Sequence, residues 1–444
     1  MLEKDVIPHT EPELLVGIIL PEDRSTRIML TLPPDGSYRL VSGDRKTSFL
    51  KNSKLEIGLE NGLLSLAGLP YASDCEITPV HNDPVRPSGG IMVRPVIAGR
   101  GFHWQKTIAV YLPGTLTISA VDDSLMLINR LALEDYLMCV ATSEMGQACP
   151  EALIEAQTIV ARSWMLANVE QKHHSLGFDV CNDDCCQRYQ GTANLNQYAI
   201  DAAKKTRGAV LQHAGLICDA RYSKSCGGMM ETYATIWGDG DLPYLRNKPD
   251  CDRPIPPDHL PLTDEDKART WIDSVPEAFC SSKQVDERTL KQYLGAVDED
   301  GTYFRWKVRH KQKEITALLN KKIRLNAVSV LYLRPLERGG SGRIKLLEIG
   351  YLDGSGQERS RVLERDVAIR SAMHPGFLYS SCFYVSTGKK QDGVPGEFII
   401  SGAGWGHGAG LCQIGALGMA LKGYKTPEIL SHYYPGSRLE KIYS

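Results

Sequence analysis

From Leu133 onward, apolar side chains recur at helical spacing (Leu133, Tyr136, Leu137, Val140, Ala141), and the next position on that stripe is Glu144. A carboxylate stands where a leucine would be expected. Against an apolar face its charged form is disfavoured, so such a group can hold a proton near neutral pH and act as a general acid. The alternatives are a helix-end carboxylate in water or one paired with Arg162. Pro150 suits the start of a second helix that carries Leu153, Ala156, Gln157, Val160 and Trp164 on one side. The spacing therefore predicts a helical hairpin with Glu144 near its corner.

Residues 1–125 alternate apolar and polar positions in short runs such as LLVGIIL, KLEIGLE and TLTISAV, broken by Gly, Pro, Asp and Ser. That pattern predicts an antiparallel β module with a supporting role. Residues 126–245 continue with the hairpin, a Cys-rich loop, a third helix ending at Gly208 and two strands around an Ala-Gly turn. Residues 246–305 are polar and Pro-rich and read as an insertion. Residues 306–444 read as strands, an amphipathic helix, a Gly-rich loop and terminal helices. The fold class expected is α+β.

A length of 444 residues allows two or three domains, and a net charge of -2 without a basic run argues against nucleic acid as a partner. The first twenty residues do not read as a signal peptide, and no apolar stretch reaches membrane-spanning length. Of twelve cysteines, Cys181, Cys185 and Cys186 cluster behind His173 and His174, which favours a metal over disulfide bridges. Thiolate and imidazole are the ligands that a tetrahedral zinc site uses. Buried free thiols are the alternative, and Cys251 could pair with Cys280 in an oxidising compartment. Gln187, Arg188 and Tyr189 follow the loop and offer sugar contacts or structural hydrogen bonds.

In YSKSCGGMMET, Gly227 and Gly228 make a turn whose amides can approach a ligand closely, with the hydroxyls of Ser223 and Ser225 beside it. No His-Asn set accompanies Cys226 in the sequence, which disfavours it as a nucleophile. Glycines at 402, 404, 406, 408 and 410 strip side chains from a loop that then enters a helix ended by Gly423. A phosphate cradle is disfavoured, since neither a P-loop Lys-Ser/Thr pair nor Rossmann spacing accompanies it.

LEDYL, SEM, EALIEAQTIVARSW, CQRYQG, AAKKTRG, SCGG and GAGWGHGAGLCQIGALGMA, in that order from about Leu131 to the C-terminus, together resemble the SpoIID/LytB family. The resemblance implies a SpoIID-like fold, a helical hairpin packed with antiparallel β elements. It also implies a lytic transglycosylase of peptidoglycan with Glu144 as the catalytic acid. It carries over a zinc ion, read as structural, held by His174, Cys181 and Cys186. Relatives have His where this chain has Cys185, so Cys185 and His173 compete for places in the set. The SCGG turn and GWGHG loop would line the glycan groove, making Trp405 and His407 candidate contacts, with Cys226 where the family usually has Ser. His407 can equally be a structural, hydrogen-bonded histidine. The partners implied are peptidoglycan glycan strands and a cell-wall amidase; that substrate implies the cell envelope, while the lack of an export signal in the sequence leaves action on cell-wall material inside the cell as the alternative. Some family members are described as amidase enhancers, so a glycan-binding module without catalysis is a second reading. A zinc-dependent hydrolase is a third.

Overall fold

The computed structural model describes residues 1–444 apart from 43–44, 51, 67–68, 71–72, 82–83, 103, 239 and 296–300. It is a mixed α+β chain that divides into two compact units. Unit 1 comprises 1–219, 292–299 and 438–444, and unit 2 comprises 220–291 and 300–437.

Unit 1 holds two β-sheets. The seven-stranded sheet runs in the order Val180–Cys181, Glu13–Ile19, Ser124–Ala132, Thr115–Val121, Asp74–Pro79, Tyr38–Ser42, Arg45–Leu50. The six-stranded sheet is built around Ile91–Ala98, Arg27–Thr31 and Lys54–Glu60. Alternation along these strands turns Leu14, Val16, Ile28, Leu30, Val93, Leu116, Ile118, Leu125 and Leu127 into one core. Strand Ser124–Ala132 runs directly into helix α1 (Leu133–Glu144), whose Leu133, Tyr136, Leu137 and Val140 lie in that same core. The β-rich N-terminal portion and the hairpin share this core, and both lie in unit 1.

Helix α2 (Glu151–Ala167) ends at Asn168, which takes the left-handed conformation, and α3 (Gln197–Lys205) starts where the Asn196 side chain accepts from the Ala199 N–H. Arg162 of α2, fully buried, gives Nε and Nη2 to the Glu134 carboxylate at 2.9 and 2.5 Å. Glu134 Oε1 also accepts from the Tyr443 hydroxyl (2.8 Å) and the Gly208 N–H (3.2 Å). Strand Arg438–Lys441 pairs antiparallel with Ala209–His213, which brings the chain's last residues to this network.

Unit 2 contains the short helix α4 (Tyr233–Trp237), α5 (Glu265–Asp273), α6 (Glu287–Leu290), α7 (Gln312–Ile323), α8 (Asp366–Ala372), α9 (Gln413–Leu421) and α10 (Thr426–Tyr433). Strands Arg305–Lys311, Glu397–Ala403 and Phe383–Thr387 form one antiparallel sheet, and Ser329–Arg338, Ile344–Leu352 and Glu358–Glu364 form another. Trp306, Ile315, Leu319, Val330, Leu347, Phe383, Phe398 and Ile400 form the core between these elements. The Pro-rich segment is no appendage: Trp271 and Ile272 of α5 are buried, and α5 packs against Phe383–Thr387. Among the described residues no helix is long and apolar enough to cross a membrane.

Removing one member of a buried ion pair leaves an uncompensated charge, at a cost of about 3–5 kcal/mol. Arg162→Met should lower the unfolding free energy by that amount in urea titrations, and Glu134→Leu/Arg162→Met should be the less damaged of the two. A loss under about 1 kcal/mol in the single variant would contradict this account of the network.

Candidate functional site

Glu144 is the last residue of α1, with Met145 leaving the helix in an extended conformation. Every residue of α1 except Asp135 is buried, because core surrounds the helix on all sides, and Glu144 itself is 6% exposed. Its Oε1 accepts the Arg188 backbone N–H at 3.0 Å. One residue back, Ser143 Oγ accepts the Gln190 N–H at 3.2 Å while donating to Cys139 O at 2.7 Å. The segment that leaves the Cys-rich loop is thus pinned to the end of α1. Neither alternative for Glu144 describes this position, since it is enclosed and the Arg162 guanidinium is given to Glu134.

Residues just before 296 close over the same helix end. Gly146 N donates to Tyr293 O at 2.8 Å, Met145 and Leu294 form an isolated β-bridge, and a Cβ on Gly146 would lie 2.4 Å from Leu294 O. Nothing in the polar, Pro-rich composition of that stretch signals this role.

Atoms able to hold a metal ion converge beside this region from His173, Cys181, Cys185 and Cys186, all within 4.8 Å of one another. The histidine of the group is His173, not the expected His174, and Cys185 joins as a fourth donor. His174 begins a short helical turn (His174–Leu176), whereas the His173 ring stacks on Phe178 at 4.9 Å and reaches Cys185 Sγ at 3.7 Å. Cys181 and Cys185 sulfurs lie 2.9 Å apart without a bond between them. Hydrogen bonds from Cys181 and Cys186 draw the Cys185 thiol well below its ordinary range. Three sulfurs and an imidazole suit a soft, tetrahedral ion.

Asp183 Oδ1 and Oδ2 accept the Gly99 and Arg100 N–H groups at 2.8 and 2.7 Å, and Asp179 accepts from Leu2 and Leu15, so the β-sheets hold the loop. Asp184, not singled out in the sequence, accepts Arg188 Nε at 2.6 Å. Burial pushes its carboxyl up to about 7; the Arg188 charge opposes this, and the Asp183 and Glu144 charges add to it. The Arg188 guanidinium lies over the Trp104 ring, 4.6 Å from its centre.

Gln187 and Tyr189, expected as sugar contacts, are fully enclosed. Gln187 accepts from the Tyr136 hydroxyl and donates to Ala161 O, while Tyr189 stacks on Tyr136 and donates to Asn129 at 2.8 Å. Their polar atoms are spent on partners inside the core.

Unit 2 brings the SCGG turn and the GWGHG loop together. Ser225 and Trp405 exchange backbone hydrogen bonds of 3.0 and 2.7 Å, and Tyr222–Ser223 pairs parallel with Leu411–Cys412. The hydroxyls of Ser223 and Ser225 accept from Gly408 N and Gly227 N, so they brace the turn rather than face a ligand. Gly227 and Gly228 have positive φ, and a Cβ on Gly227 would lie 2.8 Å from Gly404 N. The space left by Gly408 is filled by Arg343, which is fully buried and donates to Cys226 O, Ser341 Oγ and Gly406 O.

Trp405 is half-buried and stacks on Tyr379 at 4.1 Å, with Tyr303 at 4.7 Å, which makes an aromatic face. His407 Nδ1 accepts the Ala409 N–H, and its ring lies 4.9 Å from that of Trp237. Cys280 lies beside Cys226, with sulfurs 3.7 Å apart, rather than beside Cys251, which donates to Arg253 O.

A hairpin helix buried on all sides, with a carboxylate at its end and a thiol-rich loop pinned to it, defines unit 1. Residues 121–213, which include all of that hairpin, match the SpoIID family model, described as Stage II sporulation protein. Residues 231–410 match a domain of unknown function (DUF8618). An uncharacterised protein of Brachyspira hyodysenteriae is 24% identical over 324 residues, 73% of this chain and 70% of that one. The amidase enhancer of Bacillus subtilis is 24% identical over 303 residues, 68% of this chain but 39% of its own length.

Burial, then the charge of Arg221, lowers the His407 pKa from 6.5 to about 3. At pH above 6.5 the ring is neutral whether the chain is folded or not; as pH falls, the unfolded chain takes up a proton that the native ring refuses. Native stability from this residue is therefore full above 6.5 and lost progressively toward 3. In urea midpoints, the stability difference between wild type and His407→Gln should shrink as pH falls through that window. A difference that stays constant would refute the assignment.

Proposed function

We propose that the protein is a peptidoglycan lytic transglycosylase that cleaves the bond between N-acetylmuramic acid and N-acetylglucosamine, with Glu144 as its general acid and base. The observation that carries this reading is the enclosed Glu144 side chain, held by the Arg188 N–H where the segment leaving the thiol-rich loop meets the end of α1. Ordinary glycosidases use two carboxyl groups, one as acid and the other as nucleophile or base. Here one suffices by acting twice. Glu144 gives its proton to the departing glycosidic oxygen. The resulting carboxylate then takes the proton of the muramic acid C6 hydroxyl as that oxygen bonds to C1. The products are a new glucosamine hydroxyl and a 1,6-anhydro ring, and water is not consumed.

The metal in this reading is zinc bound by His173, Cys181, Cys185 and Cys186. Four protein ligands make a closed site, which is structural in character. Holding Cys185 and Cys186 would fix the next residues, so that the Arg188 N–H stays aimed at Glu144. The Trp405–Tyr379 face offers an apolar ring surface for a sugar.

A second reading is a glycan-binding enhancer of a cell-wall amidase. The Bacillus subtilis relative, named an amidase enhancer, favours it. Mass spectrometry of digested glycan strands separates the two. Glu144→Gln should lower the yield of 1,6-anhydro ends by about 10²–10⁴-fold while sedimentation with the glycan persists. Wild-type protein that binds glycan and yields no anhydro ends would leave the enhancer. Chelation that stops turnover without loss of native structure, with free reducing ends as products, would point to a metal-dependent hydrolase instead.

A further inference from the structure

Unit 2 contains a second set of candidate metal donors that no sequence spacing signals. Cys226, Asp250, Cys280 and Cys412 come from four separate segments, yet their ligand atoms lie within 4.8 Å of one another and all four residues are buried. The closest two in sequence, Cys226 and Asp250, are 24 positions apart, so none of the usual paired ligand spacings is present. We propose that these residues form a second, structural metal site that takes zinc through three thiolates and one carboxylate oxygen.

The distances fit the ion better than a disulfide. Two sulfurs each about 2.3 Å from a tetrahedral zinc lie about 3.8 Å apart, whereas a disulfide needs about 2.05 Å. The Cys226 and Cys280 sulfurs are separated by 3.7 Å. Cys412 stands at the start of α9, where its Sγ accepts N–H groups from Gly415 at 3.3 Å and Cys226 at 3.2 Å. Two amide donors and the positive end of a helix are what a thiolate ligand requires.

The carboxylate is already oriented. Asp250 Oδ1 accepts from the Tyr433 hydroxyl at 2.7 Å and lies 3.4 Å from His432 Nε2, while Oδ2 accepts from Cys280 N at 3.2 Å. Such outer contacts fix a ligand's direction before the metal arrives. Gly415 is required by this arrangement, since a Cβ there would lie 2.5 Å from Asp250 Oδ2 and against the Tyr433 hydroxyl.

On binding, the three thiols release their protons to solvent and the ion accepts four lone pairs. Zinc with three thiolates and a carboxylate carries a net charge of about -2, which the amide donors and the helix start offset in part. The ion would join the SCGG turn through Cys226, the Pro-rich segment through Asp250 and Cys280, and the end of the GWGHG loop through Cys412. It would thereby fix the two glycine-rich segments that frame Trp405. This site is independent of the cluster around His173 and of the reaction assigned to Glu144.

The test is metal counting by native mass spectrometry on the full chain purified with zinc under reducing conditions. Wild type should hold two zinc ions, and Cys226→Ala/Cys280→Ala should hold one. Equal zinc in wild type and variant would overturn the site, as would an intact mass showing a disulfide among Cys226, Cys280 and Cys412. If the variant does not fold, diffraction from wild-type crystals across the zinc absorption edge decides. An anomalous peak among the three sulfurs is expected, and its absence at that point would reject the proposal.

Discussion

The enclosure of α1 is the constraint from which most of unit 1 follows. A helix surrounded by core must find an internal partner for each polar group it carries, since an unpartnered polar atom away from water costs several kcal/mol. Glu134 finds Arg162, Ser143 finds Cys139 O and Gln190 N, and Glu144 finds the Arg188 N–H. The last two partners belong to the chain leaving the thiol-rich loop. Solving the solvation problem of the helix end therefore also anchors the loop that carries the metal donors.

Unit 2 meets a different constraint, which is close backbone approach. The SCGG turn and the GWGHG loop exchange main-chain hydrogen bonds, so side chains are excluded at Gly227, Gly404 and Gly408. The volume is filled instead by Arg343, whose guanidinium spans carbonyls from both segments. Glycine in this loop is thus a packing requirement. It leaves Trp405 stacked on Tyr379 and half-buried.

The two groups of thiols show how differently a candidate metal site can be written into a chain. Cys181, Cys185 and Cys186 are near neighbours, and a single loop folds them together. Cys226, Cys280 and Cys412 span most of unit 2, and only the finished fold makes them adjacent. A local cluster can bind an ion before the rest of the domain forms; a dispersed one couples binding to folding of the whole unit.

Periodicity alone determined the hairpin, the β-rich N-terminal portion, the third helix, the strand and helix at Arg305–Ile323, and the glycine-rich entry into α9. It also picked out Glu144 and the thiol cluster, because a charge on an apolar stripe and three cysteines in six positions are local signals. What it could not decide was which way side chains face once segments pack. Gln187 and Tyr189 turned inward because Tyr136, Asn129 and Ala161 O took up their polar atoms. His173 rather than His174 joined the thiols because the Phe178 ring positions it. The unit boundary, the role of Arg343 and the meeting of Cys226, Asp250, Cys280 and Cys412 depend on contacts between residues far apart in the chain, and no local pattern records them.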